Sequence, residues 1–80
     1  MSIELFLYST RNCYLCEQMR LDLERNFPNG EFIVRSVLID EDPDLKHQYG
    51  ARVPVLVHRG KEISELELDL TKLNNLITVE

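Results

Sequence analysis

The chain has 80 residues, 44% of them hydrophobic and 29% charged, which fits one small folded domain and leaves no room for a second module. We therefore interpret residues 1–80 as a single domain. Nine basic and 14 acidic side chains give a formal net charge of −5, which disfavours a nucleic-acid partner and an anionic membrane surface. The apolar stretch at the N-terminus is too short for a signal peptide or a membrane span. We expect a cytoplasmic monomer.

The N-terminal half predicts a strand, a helix and a second strand. Apolar side chains alternate along the first strand, at Ile3, Leu5 and Leu7. From Tyr14 the apolar period lengthens to about four, which is typical of an amphipathic helix. The expected core-facing stripe of that helix consists of Leu15, Met19, Leu23 and Phe27. Pro28-Asn29-Gly30 ends the helix, and a β-branched run from Phe32 to Ile39 predicts the second strand.

The middle of the chain predicts a short helix followed by a third strand. Asp42 is the expected cap of the helix, with Pro43 at its first position and Gly50 at its end. The third strand covers residues 53–57. Pro54 lies near the start of this strand, where a missing N–H is tolerated.

The C-terminal part predicts a hairpin and a last helix. Arg59-Gly60-Lys61 is the expected turn into a fourth strand around residues 62–64. The alternation of Leu66, Leu68 and Leu70 with acids is compatible with an extension of this strand before the last helix begins. Apolar residues recur at helical spacing at Leu70, Leu73, Leu76 and Ile77, after a cap at Asp69 or Thr71. The order β-α-β-α-β-β-α predicts an α/β fold with a mixed four-stranded sheet covered by three helices. Its first two strands are parallel and its last two antiparallel.

The two cysteines, Cys13 and Cys16, form a C-x-x-C pair. Apart from redox chemistry, such a pair can be half of a metal site, a structural disulfide or two buried free thiols. A closed zinc site needs four ligands, usually as two short-spaced pairs, and His47 and His58 lie eleven residues apart. We therefore predict no metal ligands, and we expect both histidines to be solvated. A structural disulfide over so short a loop would contribute only about 2 kcal/mol. Two buried free thiols are the plain structural alternative.

The position of the pair favours redox chemistry instead. Both thiols fall where a strand ends and a helix begins, and the free N–H groups and dipole of a helix N-terminus stabilise an anion. Cys13, two residues from Arg11, is the predicted nucleophile with a lowered pKa, and Cys16 is the predicted resolving thiol. The reaction requires no metal or organic cofactor. Its substrate would be a disulfide of a protein or a small thiol, and a thiol reductant would restore the pair.

Further residues carry a resemblance to a known family. They are Tyr8-Ser9, Cys13-Tyr14-Leu15-Cys16, Arg52-Val53-Pro54 and Gly60. Together they resemble the glutaredoxins of the thioredoxin fold, and residues 37–62 (VLIDEDPDLKHQYGARVPVLVHRGKE) look like a small group of bacterial glutaredoxin-like proteins. The resemblance implies a thioredoxin-like fold and a cis Pro54 beside the cysteines. It also implies a substrate that pairs like an added strand with the backbone of Val53.

The chain departs from the glutaredoxin pattern at the places that touch substrate. Tyr14 and Leu15 replace the usual Pro-Tyr between the cysteines, and Arg52 stands where glutathione-binding members usually carry Thr. Residues 59–73 (RGKEISELELDLTKL) lack the Gly-Gly and Asp that hold glutathione in the family, which disfavours glutathione as a ligand and leaves its binding an open question. The predicted substrate-binding residues are Arg11, Tyr14, Arg52, Val53 and Pro54.

Two other classes of function stay open at this point. A redox-inert interaction module would keep the fold and bind an extended peptide or partner protein in the same groove. An iron–sulfur or metal carrier would share its cysteines between two chains. The first predicts binding that survives removal of both cysteines, and the second predicts stoichiometric iron in protein purified without oxygen.

Overall fold

Seven helices and strands follow one another in the predicted order. The computed structural model describes residues 2–79, with the side chain of Val79 left out. Its elements are β1 (Ile3–Ser9), α1 (Tyr14–Asn26), β2 (Phe32–Leu38), α2 (Pro43–Tyr49), β3 (Val55–His58), β4 (Lys61–Glu65) and α3 (Leu70–Val79). The predicted α/β class and the order β-α-β-α-β-β-α are confirmed.

The four strands form one mixed sheet in the order β2-β1-β3-β4. β1 and β2 are parallel, with Ile3 opposite Phe32 and Ser9 opposite Leu38. β3 pairs antiparallel with both β1 and β4, and an irregularity in the β3–β4 register follows Leu56. The predicted strand directions are therefore confirmed, and β3 is an interior strand.

Each face of the sheet has its own hydrophobic cluster, because successive strand residues point to opposite faces. The cluster shared with α1 and α3 consists of Leu5, Leu7, Met19, Leu23, Leu56, Ile63 and Leu73. The cluster shared with α2 consists of Ile39, Tyr49, Val55 and Val57. The Tyr8 ring stacks on the Tyr49 ring with centroids 4.5 Å apart, which fastens α2 to the end of β1.

Side-chain caps fix where the two later helices begin. The Asp42 carboxylate accepts hydrogen bonds from the N–H groups of Asp44 and Leu45, both at 3.1 Å, so the predicted cap of α2 is confirmed. Asp69, and not Thr71, caps α3: its carboxylate accepts from the N–H of Lys72 at 3.0 Å. These caps satisfy donors that the helices leave free at their first turns.

Two predicted apolar positions differ in the structure. Leu15 is 45% exposed, and the buried residue of the first turn of α1 is Cys16, so the prediction that Leu15 faces the core was wrong. The sheet-facing stripe runs through Cys16, Met19 and Leu23, one residue out of step with Leu15. β4 ends at Glu65, because Leu66 adopts φ 64° and leaves the strand conformation. The extension of β4 beyond residue 65 was therefore wrong.

Two further corrections concern β3. The strand begins at Val55 and not at residue 53, and Pro54, which has no N–H to donate to a neighbouring strand, lies immediately before it. His58 is only 8% exposed, so its expected solvation was wrong. Its strand lies inside the sheet with a neighbour on each side, and all four of its residues are buried. His47, on the surface of α2, is exposed as predicted.

Candidate active site

The two cysteines lie where β1 passes into α1. The chain reverses through Asn12, whose φ of 56° is in the left-handed region that Asn tolerates better than most residues. Cys13 then takes the cap position of α1 with an extended backbone, and its sulfur accepts the N–H of Cys16 at 3.1 Å. The two sulfurs are joined in a disulfide, so the structure represents the oxidised form of the pair.

The two cysteines differ in their access to solvent. Cys13 is partly exposed at the start of the helix, whereas Cys16, one turn further along, is 6% exposed and belongs to the buried residues. An incoming molecule can therefore reach the sulfur of Cys13 before that of Cys16. This is the arrangement that the predicted division into an attacking and a resolving thiol requires.

The charged groups near the pair are largely matched with one another. The Arg11 guanidinium lies 3.6 Å from the Glu41 carboxylate, and the Arg11 N–H donates to Asp40 at 3.2 Å. Glu17, in the first turn of α1, accepts a hydrogen bond from Arg20, which holds the pKa of Glu17 below its usual value. Glu17 and Arg20 line the same concavity as both cysteines. Arg11 thus faces the acidic turn, and its predicted contact with substrate stays a prediction.

The Val53–Pro54 segment lies at the same end of the sheet as the cysteines. Tyr8, near the end of β1, is paired with Val55 at the start of β3, so the residues after β1 and those before β3 are neighbours. The Val53–Pro54 bond is cis, as the resemblance implied, and Pro54 is buried. The Pro54 carbonyl accepts the N–H of Leu66 at 2.8 Å, which connects this segment to the chain that follows β4.

Arg52 is engaged by the protein itself. Its guanidinium donates to both Glu62 carboxylate oxygens, at 2.5 and 3.1 Å, and to the Gln48 carbonyl at 2.8 Å. It also lies over the Tyr49 ring, 5.7 Å from the centroid. The hydrogen bond from Arg52 lowers the pKa of Glu62, and burial raises the pKa of the Tyr49 hydroxyl. Arg52 thus fastens the end of α2 to β4, and its predicted substrate contact remains untested.

Tyr14 is 75% exposed, and Leu15, the other residue between the cysteines, is 45% exposed. Across a groove from them lie Leu66 and Leu70, at 43% and 41% exposure. Sequence reasoning placed these two leucines in a strand and a helix and missed them as surface residues. The only signal was the alternation of Leu with acids from residue 65 to residue 70, which fits a strand equally well.

Within residues 2–79, no group of three or more His, Cys, Asp or Glu side chains is placed to hold a metal ion. Over the same range, no helix is both long and apolar enough to cross a membrane.

Comparison with known proteins decides the family. The sequence model of the family described as "Glutaredoxin-like domain (DUF836)" matches residues 4–78. The chain belongs to this glutaredoxin-like family. The part of the chain that matches the family model includes both cysteines, the cis proline and all three helices except the last residue of α3. No curated protein matches the sequence.

Solved structures agree with this assignment. Protein Ne2328 from Nitrosomonas europaea is 28% identical, with a TM-score of 0.86 over 95% of this chain and 92% of that one. The solution structure of XcR50 from X. campestris is 32% identical, with a TM-score of 0.73 over 100% of this chain and 96% of that one. Thioredoxin 1 from Thermosipho africanus is 13% identical, with a TM-score of 0.61 over 96% and 97% of the two chains, and shows the thioredoxin-like fold alone.

Proposed function

We propose that this glutaredoxin-like protein is a thiol–disulfide oxidoreductase in which Cys13 attacks and Cys16 resolves. The observation that carries the proposal is the unequal placement of the two sulfurs. Cys13 caps α1, is partly exposed and accepts the Cys16 N–H at 3.1 Å, while Cys16 is 6% exposed. In the reduced protein the same N–H and the helix dipole would stabilise a Cys13 thiolate.

The proposed reaction transfers two electrons from the pair to a disulfide. The Cys13 thiolate attacks one substrate sulfur, a mixed disulfide forms, and the other substrate sulfur leaves as a thiolate that takes a proton. The Cys16 thiolate then attacks the Cys13 sulfur and releases the second substrate thiol. The product is the Cys13–Cys16 disulfide present in the structure. A small-molecule or protein dithiol would reduce it and complete the cycle.

The cis Pro54 segment would hold the substrate beside Cys13. An extended stretch of substrate would lie along the backbone of Val53, at the end of the sheet where β1 and β3 are paired. We propose that no bound cofactor takes part, because the two sulfurs carry both electrons. We further propose that glutathione is a poor substrate, since the chain lacks the glycines and aspartate that hold it in the family. A reducing cytoplasm is the compartment in which such a pair would work.

A single-turnover experiment tests these roles directly. Reduced protein is mixed with 2-hydroxyethyl disulfide, quenched by alkylation and weighed by mass spectrometry. The parent should yield the internal disulfide, and Cys16→Ser should stop at a mixed disulfide on Cys13. Cys13→Ser should react at least about 10³-fold more slowly, because the accessible nucleophile is missing.

The matched serine variants differ by one atom from the parent, so each keeps the shape of the site. A Cys13→Ser protein that reacts as fast as the parent would contradict the assignment of the nucleophile. A parent that never forms the internal disulfide would contradict the oxidoreductase itself and leave the fold as a binding module.

A further inference from the structure

A groove runs along α1 from the cysteine pair and has no part in the reaction described above. One wall is formed by α1, through Tyr14, Leu15, Gln18, Met19, Asp22 and Asn26. The other wall is the segment after β4, through Leu66, Glu67, Leu68 and Leu70. Tyr14 lines both this groove and the concavity that contains the two cysteines, so the groove adjoins the reactive pair.

Leu66 is the most informative residue of this groove. Its φ of 64° places a branched side chain in the left-handed backbone region, which Gly or Asn occupies at lower free energy. The residue is nevertheless 43% exposed, so its burial offsets the unfavourable conformation only in part. The Leu66 N–H donates to the Pro54 carbonyl at 2.8 Å, a bond that any residue except proline could make. Neither the backbone nor the core therefore requires Leu at this position, and a role in binding at the surface would account for it.

The charge of the groove has one sign. Its two charged lining residues, Asp22 and Glu67, are both acidic. Asp22 has a distant partner in Arg25, at 3.9 Å, and Glu67 has no ion-pair partner in the part of the chain that the structure describes. An apolar strip beside two carboxylates complements a partner segment that carries apolar and basic side chains together. A second copy of this chain fits poorly, because each copy has a formal charge of −5.

We propose that this groove docks a basic, apolar segment of the protein whose disulfide is reduced at Cys13. The inference rests on the proposed function and names its substrate class. The apolar side chain of the segment contacts Leu15, Leu66 and Leu70, and its Lys or Arg side chain faces Glu67. Docking there holds the disulfide of the partner over the exposed end of α1.

Matched peptides test the docking. Two peptides share one internal disulfide and a neighbouring Leu, and differ only in carrying two Lys or two Glu beside it. The second-order rate constant for reduction is measured for each peptide and divided by that for 2-hydroxyethyl disulfide, which is too small to fill the groove. The parent should reduce the Lys peptide about tenfold faster than the Glu peptide, a difference of about 1.4 kcal/mol.

Two variants locate the preference. Leu66→Asn, which suits the left-handed backbone, should lower the Lys-peptide ratio about fivefold, or about 1 kcal/mol, while the urea midpoint stays equal or rises. Glu67→Lys should reverse the order of the two peptides. Ile33→Thr and Glu31→Lys make similar changes outside the groove and should leave both ratios unchanged.

The outcomes separate this inference from the proposed function. A parent that reduces 2-hydroxyethyl disulfide but treats both peptides alike, or a Leu66→Asn protein that unfolds more easily, would overturn the docking and leave the oxidoreductase intact. A parent that fails to reduce 2-hydroxyethyl disulfide would overturn the oxidoreductase. The docking is then tested by NMR with peptides in which serine replaces both cysteines. Changes in the chemical shifts of the Leu66 and Glu67 amides on addition of the Lys peptide would support the docking, and unchanged shifts would refute it.

Discussion

Helices α2 and α1 both begin with a side chain that accepts free N–H groups of the first turn, but the two caps have different consequences. At α2, the Asp42 carboxylate accepts two backbone N–H groups, both at 3.1 Å. At α1, the Cys13 sulfur accepts one, from Cys16, at 3.1 Å. A carboxylate is charged throughout the neutral range, whereas a sulfur becomes an anion only when it is reduced and deprotonated. The helix N-terminus thus stabilises the fold at α2 and, in the proposed function, a reactive intermediate at α1.

Exchanging one cap for the other should separate stability from activity and gives the largest expected effect. Cys13→Asp and Cys13→Ala should both lose disulfide reduction by at least about 10³-fold, because neither supplies a sulfur. The Asp variant should nevertheless be more stable than the Ala variant by about 1 kcal/mol, because its carboxylate can cap α1. Urea unfolding and the single-turnover rate measure the two effects. Equal stabilities would show that residue 13 does not act as a cap.

Removing the carboxylate cap should have the opposite pattern. Asp42→Ala should lower the free energy of unfolding by about 1 kcal/mol and leave the rate per folded molecule unchanged. Asp44→Ala is the matched control, because Asp44 is an acid in the first turn of the same helix and caps no helix among residues 2–79. This variant should lose only about 0.3 kcal/mol. Equal losses in both variants would mean that helix-dipole attraction, and not capping, accounts for Asp42.

The smallest expected effect on stability comes from Glu62, whose carboxylate is bound by the Arg52 side chain and not by the N-terminus of a helix. Arg52 lowers the pKa of Glu62, so Glu62 binds its proton less readily in the folded protein than in the unfolded chain. Its contribution is therefore fully present above the unfolded pKa of about 4.3 and is lost as the pH falls through the lower folded value. The two side chains are 33% and 39% exposed, and an ion pair so open to solvent contributes less to stability than the Asp42 cap.

Glu62→Gln tests this pH dependence. The variant should be less stable than the parent at pH 7, and the difference in unfolding free energy should be smaller at pH 3 than at pH 7. A difference that is the same at both pH values would show that the stability comes from packing of the side chain and not from its charge.

The sequence predicted most where the signal is local. The correct order of elements came from signals that depend only on neighbouring residues. These signals are the spacing of hydrophobic residues, the Asp42-Pro43 start of α2 and the breaks between elements. The cis state of Pro54 was different, since it came from the resemblance and no local pattern indicated it. The C-x-x-C pair at a strand-to-helix junction was equally visible, because a spacing and a boundary sufficed to place it.

The errors arose where the answer depends on packing between distant elements. Leu15 and Cys16 differ by about 100° around α1, and only the rotation of the helix against the sheet decides which one is buried. The burial of His58 follows from the interior place of β3, which strand lengths alone do not specify. The contact of Arg52 with Glu62 was missed for the same reason, because it depends on the α2 end and β4 lying side by side; the predicted substrate contact of Arg52 stays a prediction. Leu66 alternates like a strand residue, and its left-handed backbone breaks that pattern.

The most direct test of the central claim is the redox equilibrium of Cys13 and Cys16 against glutathione buffers. The fraction oxidised is read by mass after alkylation, and the pH dependence of alkylation gives the pKa of each thiol. We expect a reversible two-electron couple, with the Cys13 thiol titrating below the ordinary value of about 8.5. Two thiols that never form an internal disulfide at any buffer ratio, and that both titrate near 8.5, would contradict it.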